Sequence, residues 1–577
     1  MIDDYAFLND LNETQKQVCI SEDNFVITSC PGSGKTRTIT YRLAYLAKKY
    51  KKSRKLNIAI TYTNRAADEI ENRLIDMGID ISNIWTGTIH QFCMNFIIRR
   101  YAMYHKKLSK GYRIIDEFVR DEYLKAIADE IGIRYCYVKE LYKNQKVMNA
   151  YLLKMESNRE IDFDMILEYS KELLEKNIFT AENIAYIIRS IHVDEYQDTN
   201  ERQYDILAAI VKINRDINLL FVGDINQAIY GNLGGIAKSA DEIRKLFPIA
   251  FTEKCLDGCY RSTQRLVDYY TNYEVVSTGV TSVSTIKDNK GIIKFNFHTL
   301  KDRLADVIAG ILQEQLDNDI SENEICIVAP QWYQIYPMAN KLRKLMPNNN
   351  FDAPDISPIK YDPLNVFYLI AKLLFTKNSN HRLIRRKIAV EIINMLKEDY
   401  EFRIPARIDK LDILRTINST PFIKDDAILT LKKAISNVCH LLVINITGKL
   451  KNTYDDFFYK IQYRVRKHKL EYNCLSMEKC FKERKGIVIN TIHGVKGEEY
   501  TTVIGFDLLT GHLPNWGYIW NCSLKPIRHE ETNKLLYVLC SRAKKNLYLI
   551  SERGRKTQKN RPYETTEELA KCDFEYD

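Results

Sequence analysis

A chain of 577 residues is long enough for several domains, and 45% hydrophobic with 28% charged residues is typical of a folded globular protein rather than a disordered one. Basic residues outnumber acidic ones by 85 to 75, a moderate excess that suits a polyanionic partner such as nucleic acid. The acidic start, the short apolar run at 366–375 and thirteen cysteines without a CxxC pair predict a cytoplasmic protein with reduced thiols, no membrane partner and no zinc site.

The first predicted element that carries chemistry is a strand, a loop and a helix near the N-terminus. "FVIT" predicts a buried strand, "SCPGSGKT" a loop, and "RTITYRLAYLAKKY" an amphipathic helix. Glycines at 32 and 34 allow successive N–H groups to face phosphate oxygens, and Lys35 is expected to reach the terminal phosphates. The residues predicted to bind the nucleotide in this segment are Ser29, Cys30, Pro31, Gly32, Ser33, Gly34, Lys35, Thr36 and Arg37.

A second acidic segment completes the predicted phosphate site. "SIHVDEYQDTN" has a short apolar strand that ends in Asp194 and Glu195. We expect Asp194, together with the Thr36 hydroxyl, to hold Mg²⁺ and Glu195 to orient the attacking water. A solvated acidic turn is the alternative interpretation, but a P-loop requires an acidic partner of this kind.

Further apolar runs predict the remaining strands. "INLLFV" is followed by "GDINQAIYGNLGG", which places Asp224 and Gln227 just past the carboxyl end of a strand, where open α/β sheets bind ligands. The runs that predict a second sheet are "GIIKFNF", "EICIVAP", "IVINTIHG", "TTVIGFDL" and "NLYLI".

Nine segments in a fixed order carry a family resemblance. They are "LNETQKQVC", "SCPGSGKT", "ITYTNRAADEI", "TGTIHQF", "HVDEYQDTN", "FVGDINQAIYG", "CYRST", "TIHGVKGEEY" and "LLYVLCSRAKKNLYL". Together they resemble the motif set of the UvrD/Rep/PcrA-like superfamily 1 DNA helicases. The resemblance implies an α/β fold with two RecA-like P-loop NTPase core domains, each with a parallel sheet and a largely helical insertion. It also implies that ATP and Mg²⁺ bind between the cores.

The resemblance assigns roles around the nucleotide. Gln15 would read the adenine edge, and Glu499 would contact the ribose. Gln227 would sense the γ-phosphate and link it to the DNA track. Arg261 and Arg542 would contact that phosphate and neutralise charge in the transition state. A structural salt bridge is the alternative interpretation of Arg542.

The resemblance also assigns residues to nucleic acid. The segments concerned contribute Thr63, Asn64, His90, Tyr230, His493 and Lys496. Thr63 and Asn64 also suit a helix cap, and His90 also suits a structural hydrogen bond.

The chain departs from the family pattern in the loop after Gly231. Asn232 and Leu233 stand where the family usually has an aromatic residue and an arginine. Stacking on an aromatic ring contributes about 1–3 kcal/mol per base, and neither residue supplies it. We therefore predict that the nucleotide-sensing half of this loop is kept and the DNA-binding half is weakened, with Tyr230 as a candidate replacement. Smaller departures are Cys259 for asparagine and Gly494 for serine.

The motifs predict a split domain organisation. The first core would comprise 1–100 and 187–271, with a helical insertion at 101–186; the second core would comprise 272–375 and 477–577, with an acidic tail and a reduced insertion at 376–476. Basic segments at 381–387 and 463–469 would meet duplex DNA or form solvated helix faces.

Three functional hypotheses follow. The first is an ATP-dependent 3′→5′ translocase on single-stranded and junction DNA that also unwinds duplex. The second is a motor subunit that acts with a separate nuclease in DNA repair or phage defence. The third is a nucleotide switch or scaffold that does not track DNA.

Overall fold

The computed structural model describes residues 5–231, 234–353, 358–360, 362–378, 382–423, 426–468, 472–479, 481, 486–521, 525–557 and 559–577. The chain divides into two compact units. Unit 1 comprises Met1–Ser109, Phe163–Ala353 and Gly486–Asp577, and unit 2 comprises Lys110–Asp162 and Pro354–Lys485.

The strands and helices are labelled in chain order. The strands are β1 (Phe25–Ser29), β2 (Leu56–Ile60), β3 (Ile84–Gly87), β4 (Arg113–Ile114), β5 (Glu160–Ile161), β6 (Ile188–Asp194), β7 (Asn218–Gly223), β8 (Thr252–Leu256), β9 (Gly258–Cys259), β10 (Thr281–Ser282), β11 (Ile292–Asn296), β12 (Ile325–Ala329), β13 (Phe351–Asp352), β14 (Ile487–Thr491), β15 (Tyr500–Gly505) and β16 (Ala543–Ile550). The helices are α1 (Glu13–Ile20), α2 (Lys35–Lys49), α3 (Asn64–Asp76), α4 (Ile89–Phe92), α5 (Arg99–Tyr101), α6 (Glu117–Ile131), α7 (Val138–Leu141), α8 (Gln145–Asn158), α9 (Phe163–Lys176), α10 (Ile178–Ile187), α11 (Glu201–Ile213), α12 (Ala240–Leu246), α13 (Gln264–Tyr270), α14 (Leu304–Asp317), α15 (Trp332–Leu345), α16 (Val366–Phe375), α17 (Arg382–Glu398), α18 (Lys410–Asn418), α19 (Ala427–Leu442), α20 (Gly448–His468), α21 (Cys474–Lys479), α22 (Trp516–Asn521), α23 (Lys525–Cys540) and α24 (Glu567–Ala570).

Unit 1 contains two six-stranded parallel sheets. The first has the order β3-β2-β6-β7-β1-β8 and the second the order β11-β16-β15-β12-β14-β13. Central strands such as β12 are buried at every residue, which explains why they appear in the sequence as continuous apolar runs. The predicted fold class, two RecA-like cores with parallel sheets, is confirmed.

Helices cover the first sheet because their apolar faces pack against it. Ile39 and Leu43 of α2 belong to the same buried cluster as Phe25 and Ile27 of β1. Parallel strands that end at one edge bring their following loops together, so this arrangement places the motif segments at the carboxyl edge of the sheet.

Unit 2 is largely helical and has its own core. Helices α16, α17, α18, α19 and α20 contribute most of its buried apolar side chains. Its two chain segments are joined by ion pairs, including Lys460 Nζ to Asp116 Oδ2 at 2.9 Å and Lys360 Nζ to Glu117 Oε2 at 3.3 Å. Helices α9 and α10, within the range predicted for the first insertion, belong to unit 1. The division into core and insertion segments stays a prediction.

Membrane insertion has no support from the helices. Within the described ranges, no helix combines the length and apolar character needed to cross a bilayer. Most of the cysteine side chains in these ranges are buried, for example those of Cys30 and Cys259.

The start of β11 provides a test of the second sheet. Gly291 has φ +61°, and a Cβ there would lie 2.1 Å from the carbonyl oxygen of Lys545. We expect Gly291→Ala to destabilise unit 1 by at least about 1 kcal/mol and to lower the melting temperature in a thermal denaturation assay. Gly310→Ala in α14 is the matched control, because nothing lies within 4 Å of its Cβ position. Equal melting temperatures for both variants would contradict the described register.

Candidate functional site

The P-loop connects β1 to α2 in a conformation that only glycine adopts easily. Gly32 and Gly34 have φ values of +71° and +82°, and Gly34 caps the start of α2. A Cβ on Gly32 would lie 2.6 Å from Cβ of Arg261, so the loop and Arg261 are in close contact. Lys35 is buried, with Nζ 3.4 Å from the carbonyl of Cys30. A curled loop at a helix N-terminus with a lysine is suited to bind phosphate.

Two serines complete the loop. Ser29 stands where the general pattern has glycine, and its hydroxyl donates to the carbonyl of Gly223 at 2.7 Å, which ties the loop to the end of β7. Ser33 Oγ is buried and has no hydrogen-bond partner in the part of the chain that the structure describes. Because buried hydroxyls normally have a partner, a phosphate oxygen fits here as the acceptor.

The magnesium ligands predicted from the sequence lie side by side. Thr36 Oγ1 donates to Asp194 Oδ2 at 3.2 Å. Burial, reinforced by the neighbouring Glu195 charge, raises the pKa of Asp194 to about 7. A hydroxyl and a carboxylate are oxygen ligands of the kind Mg²⁺ prefers, and a cation would compensate the buried carboxylate. The residues present therefore fit the ion.

Glu195 is held in an unusual backbone conformation beside these ligands. Its φ is +53°, and Gln197 donates from Nε2 to its carboxylate. Burial raises the pKa of Glu195, but the charges of Lys35, Lys496 and Arg542, together with the hydrogen bond from Gln197, lower the pKa below its usual value. Glu195 is thus ionised at neutral pH and able to accept a proton or orient water.

Gln227 joins the two sheets of unit 1. Its Nε2 donates to Asp224 Oδ2 at 2.6 Å, and its Oε1 accepts from Nη2 of Arg542 at 3.0 Å. Its carbonyl accepts from Nζ of Lys496 at 2.5 Å. Gln227 is 1% exposed, so these bonds are shielded from water. Burial raises the pKa of Asp224 to about 6.

Arg542 is a buried cation whose hydrogen bonds to the described residues go to uncharged oxygens. Besides Gln227, it donates to the carbonyls of Val538 and Glu498 and to Ser541 Oγ. Burial, with the nearby Arg261 charge, lowers its pKa to about 10. A buried guanidinium with this surrounding is suited to receive a phosphate anion.

Arg261 lies directly against Gly32 of the P-loop. Its Nε donates to Glu499 Oε2 at 2.7 Å and its Nη1 to the carbonyl of Ser541 at 2.9 Å. Burial raises the pKa of Glu499, but Arg261 and Lys544 outweigh it and lower the pKa below its usual value. Glu499, the predicted ribose contact, is therefore an ionised partner of Arg261 in this structure.

Gln15, the predicted adenine contact, lies near Tyr260, which the sequence analysis did not select. Both amide atoms of Gln15 bind protein: Nε2 donates to the Ser33 carbonyl at 3.0 Å, and Oε1 accepts from the N–H of Asn12 at 3.2 Å. Asn12 also donates to Tyr260 Oη at 2.9 Å. The N–H of Tyr260 donates to the Gly32 carbonyl, and its ring is 44% exposed beside the P-loop. An exposed ring at this position suits stacking with a planar base. The sequence signal for Tyr260 was the tyrosine in "CYRST".

Arg37 lies on the first turns of α2. Its guanidinium is 3.5 Å from Tyr41 Oη and 3.8 Å from Asp10 Oδ2. Both contacts are partly exposed, which leaves Arg37 available at the rim of the loop.

Among the residues predicted to bind nucleic acid, Thr63 and Asn64 lie at the start of α3. Thr63 Oγ1 accepts from the N–H of Ala66 at 3.2 Å, so it caps the helix. Asn64 Oδ1 is buried and has no hydrogen-bond partner among the described residues. His90 packs edge-on against Phe163 with ring centroids 5.8 Å apart, and burial lowers its pKa to about 4. His90 is therefore neutral at physiological pH.

Tyr230 stacks on Tyr62, a residue that the sequence analysis did not select. Their ring centroids are 4.5 Å apart with an interplanar angle of 28°. Tyr230 Oη donates to the carbonyl of His493 at 3.1 Å, and Lys496 Nζ lies 5.1 Å from the Tyr230 ring. Tyr62 is 37% exposed. Its signal was an aromatic residue in "ITYTN", two residues past the end of β2.

Lys496 connects this aromatic pair to the nucleotide side. Besides Gln227, its Nζ contacts Asp198 Oδ2, and both side chains of this ion pair are almost fully buried. Burial, opposed by Lys496, raises the pKa of Asp198 to about 6.

The structure explains one departure from the family pattern, at Gly494, and does not describe two others. A Cβ on Gly494 would lie 2.2 Å from Asn490 Oδ1, so the asparagine occupies the space that a serine would need. Asn232 and Leu233 lie outside the described residues, as do His381 and Lys469 in the two basic segments.

The chain matches known protein families along most of its length. Residues 11–135 and 135–248 match the UvrD/REP helicase N-terminal domain, and residues 255–554 match the UvrD-like helicase C-terminal domain. The ATP-dependent DNA helicase PcrA of Staphylococcus aureus strain Mu50 is 27% identical over 419 residues, which are 66% of this chain and 56% of that protein. PcrA of Staphylococcus epidermidis strain RP62A is 29% identical over 293 residues, which are 46% of this chain and 40% of that protein.

The matched parts of the chain thus span 56% and 40% of the length of these two curated relatives. The two domain matches cover far more than half of the chain itself and follow the order of its motifs. The chain belongs to the UvrD/Rep/PcrA-like superfamily 1 helicase family.

Proposed function

We propose that this protein is an ATP-dependent DNA helicase that translocates 3′→5′ along single-stranded DNA and hydrolyses ATP between its two parallel sheets. The observation that carries the proposal is the position of Gln227, whose amide contacts Arg542 and whose carbonyl contacts Lys496. Family membership supports DNA as the substrate, and the direction is carried over from the family resemblance.

The P-loop would hold the ATP phosphates. Its N–H groups and Lys35 would bind the phosphate oxygens, and the unpartnered Ser33 hydroxyl would gain an acceptor. Thr36 and Asp194 would hold Mg²⁺, which supplies neutralisation of phosphate charge. Tyr260 and Arg37 flank the loop on the side where the base would lie.

The charged side chains around the P-loop would promote hydrolysis of ATP. Glu195 stays ionised and orients the attacking water towards the γ-phosphate. Arg261 and Arg542 come from beyond β8 and from just after α23, and they stabilise the charge of the γ-phosphate in the transition state. Because Arg542 also contacts Gln227, loss of the γ-phosphate changes the environment of Gln227.

Single-stranded DNA would bind beside the nucleotide site. Lys496 joins the Gln227 carbonyl to the Tyr230 ring, and Tyr62 presents an exposed face beyond Tyr230. A base stacked there would respond to any shift of Lys496. Thr63 and Asn64 follow Tyr62 directly and are positioned to contact phosphate.

ATP hydrolysis with and without an oligo-dT strand tests the function. We expect strong stimulation by the oligonucleotide in the wild type, and at least about a hundredfold loss of hydrolysis in Lys35→Ala, because the terminal phosphates lose their cation. Gln227→Ala should lose the stimulation by DNA. Lys212→Ala, an exposed lysine on α11, is the control for removing a positive charge. Lys35-dependent hydrolysis that ignores DNA would favour the nucleotide switch instead.

Direction is tested with tailed duplexes. We expect ATP-dependent unwinding of a duplex with a 3′ single-stranded tail and little unwinding of the same duplex with a 5′ tail, measured by separation of a fluorophore and quencher. Glu195→Gln serves as the control, because it retains a side chain of the same size without the carboxylate. Preference for the 5′ tail would contradict the assigned direction.

A further inference from the structure

An ion pair at the rim of the contact between the two sheets of unit 1 has no part in the proposed hydrolysis. Nη1 of Arg65, in the first turn of α3, contacts Oε1 of Glu498, in the segment between β14 and β15. The two residues are 433 positions apart in the sequence, so only the fold brings them together. The Arg65 side chain is 64% exposed and the Glu498 side chain 11%, which places the carboxylate on the buried side of the pair.

Each partner is attached firmly to its own sheet. Helix α3 packs on the first sheet, because its Ile70 belongs to the same buried cluster as Ala59 of β2. The segment after β14 packs on the second sheet, because its Val495 belongs to the same buried cluster as Val488 of β14. Since neither partner can move far from its sheet, the ion pair constrains the distance between the two sheets.

The carboxylate of Glu498 is oriented before it meets the arginine. Tyr500 Oη donates to this carboxylate, and the Glu498 carbonyl accepts from Nη1 of Arg542 at 3.2 Å. Glu498 thus contacts Arg65 through its side chain and Arg542 through its main chain. A carboxylate that a second donor already holds loses less conformational entropy on pairing, so this pair is expected to contribute more than an isolated surface ion pair.

The charged residues on either side of Gly497 both pair with the first core. Lys496 pairs with Asp198, which follows β6, and Glu498 pairs with Arg65. Gly497 between them has φ +84°, a backbone conformation that favours glycine. A cation and an anion two residues apart therefore meet an anion and a cation of the first core, and two contacts of opposite polarity determine the orientation of the sheets as well as their spacing.

We propose that Arg65 and Glu498 are a positioning pair that stabilises the closed arrangement of the two sheets, in which Arg542 contacts Gln227. The inference rests on the proposed function, in which ATP is hydrolysed between the sheets, and adds the contact that sets how readily they close. ATP contacts groups of both sheets only in the closed arrangement. A pair that favours closure therefore raises the apparent affinity for ATP without touching ATP.

Reversal of the two charges tests the pair. Steady-state ATP hydrolysis with saturating oligo-dT is measured for the wild type, Arg65→Glu, Glu498→Arg and the double variant Arg65→Glu/Glu498→Arg, which exchanges the charges. Arg73→Glu is the matched control, because Arg73 is an exposed arginine of the same helix whose ion pair with Glu69 stays within that helix. The melting temperature of each variant shows whether it is folded.

We expect each single reversal to raise the KM for ATP by at least about fivefold and to change kcat by less than about twofold, because saturating ATP restores closure. The double variant should recover most of the lost apparent affinity, and Arg73→Glu should behave as the wild type does. If a reversal lowers the melting temperature, Glu498→Gln, which has the same size, decides the question and should raise the KM by at least about twofold.

An unchanged KM, or a folded double variant that recovers nothing, would overturn the positioning pair and leave the proposed function standing. Faster hydrolysis without DNA in the single reversals would show that the contact restrains the enzyme, and it would overturn the pair as well. Absence of DNA-stimulated hydrolysis in the wild type would overturn the proposed function itself.

Discussion

The hydrogen bonds of one buried glutamine determine how the rest of the site works. Gln227 binds Asp224 after β7, Arg542 at the end of α23, and Lys496 after β14, so three segments from two sheets meet at one side chain and its carbonyl. Because these bonds are shielded from water, losing one leaves a buried polar group unpaired, which costs about 1–3 kcal/mol. In the proposed function, that cost would couple the relative position of the two sheets to the bound nucleotide.

The charges around Gln227 suit the binding and release of an anion that the proposed function requires. Burial raises the pKa values of Asp194, Asp224 and Asp198, while Arg542 and Lys35 are also buried. A triphosphate with Mg²⁺ would compensate both sets of charges. Lys496 pairs with Asp198 and lies over the ring of Tyr230. It would therefore stand between the nucleotide and the single-stranded DNA.

The sequence predicted the central strands and the phosphate loop because both depend on local patterns. Within the two six-stranded sheets, the strands that it did not predict, β3, β8 and β13, all lie at sheet edges. Edge strands need less apolar sequence, and β8 has mostly exposed or half-exposed residues. Contacts between distant segments, such as Asp198 with Lys496, have no local signal. Tyr62 and Tyr260 were missed because their roles come from what lies beside them in the fold.

The most direct measurement of this account is the coupling between nucleotide and strand. The affinity for oligo-dT is measured with and without a non-hydrolysable ATP analogue, in the wild type and in Gln227→Ala. The account predicts that the analogue changes the affinity of the wild type for oligo-dT several-fold. In Gln227→Ala the analogue and oligo-dT should each still bind, but the analogue should leave the affinity for oligo-dT unchanged. The same coupling factor in both proteins would contradict the central role of Gln227.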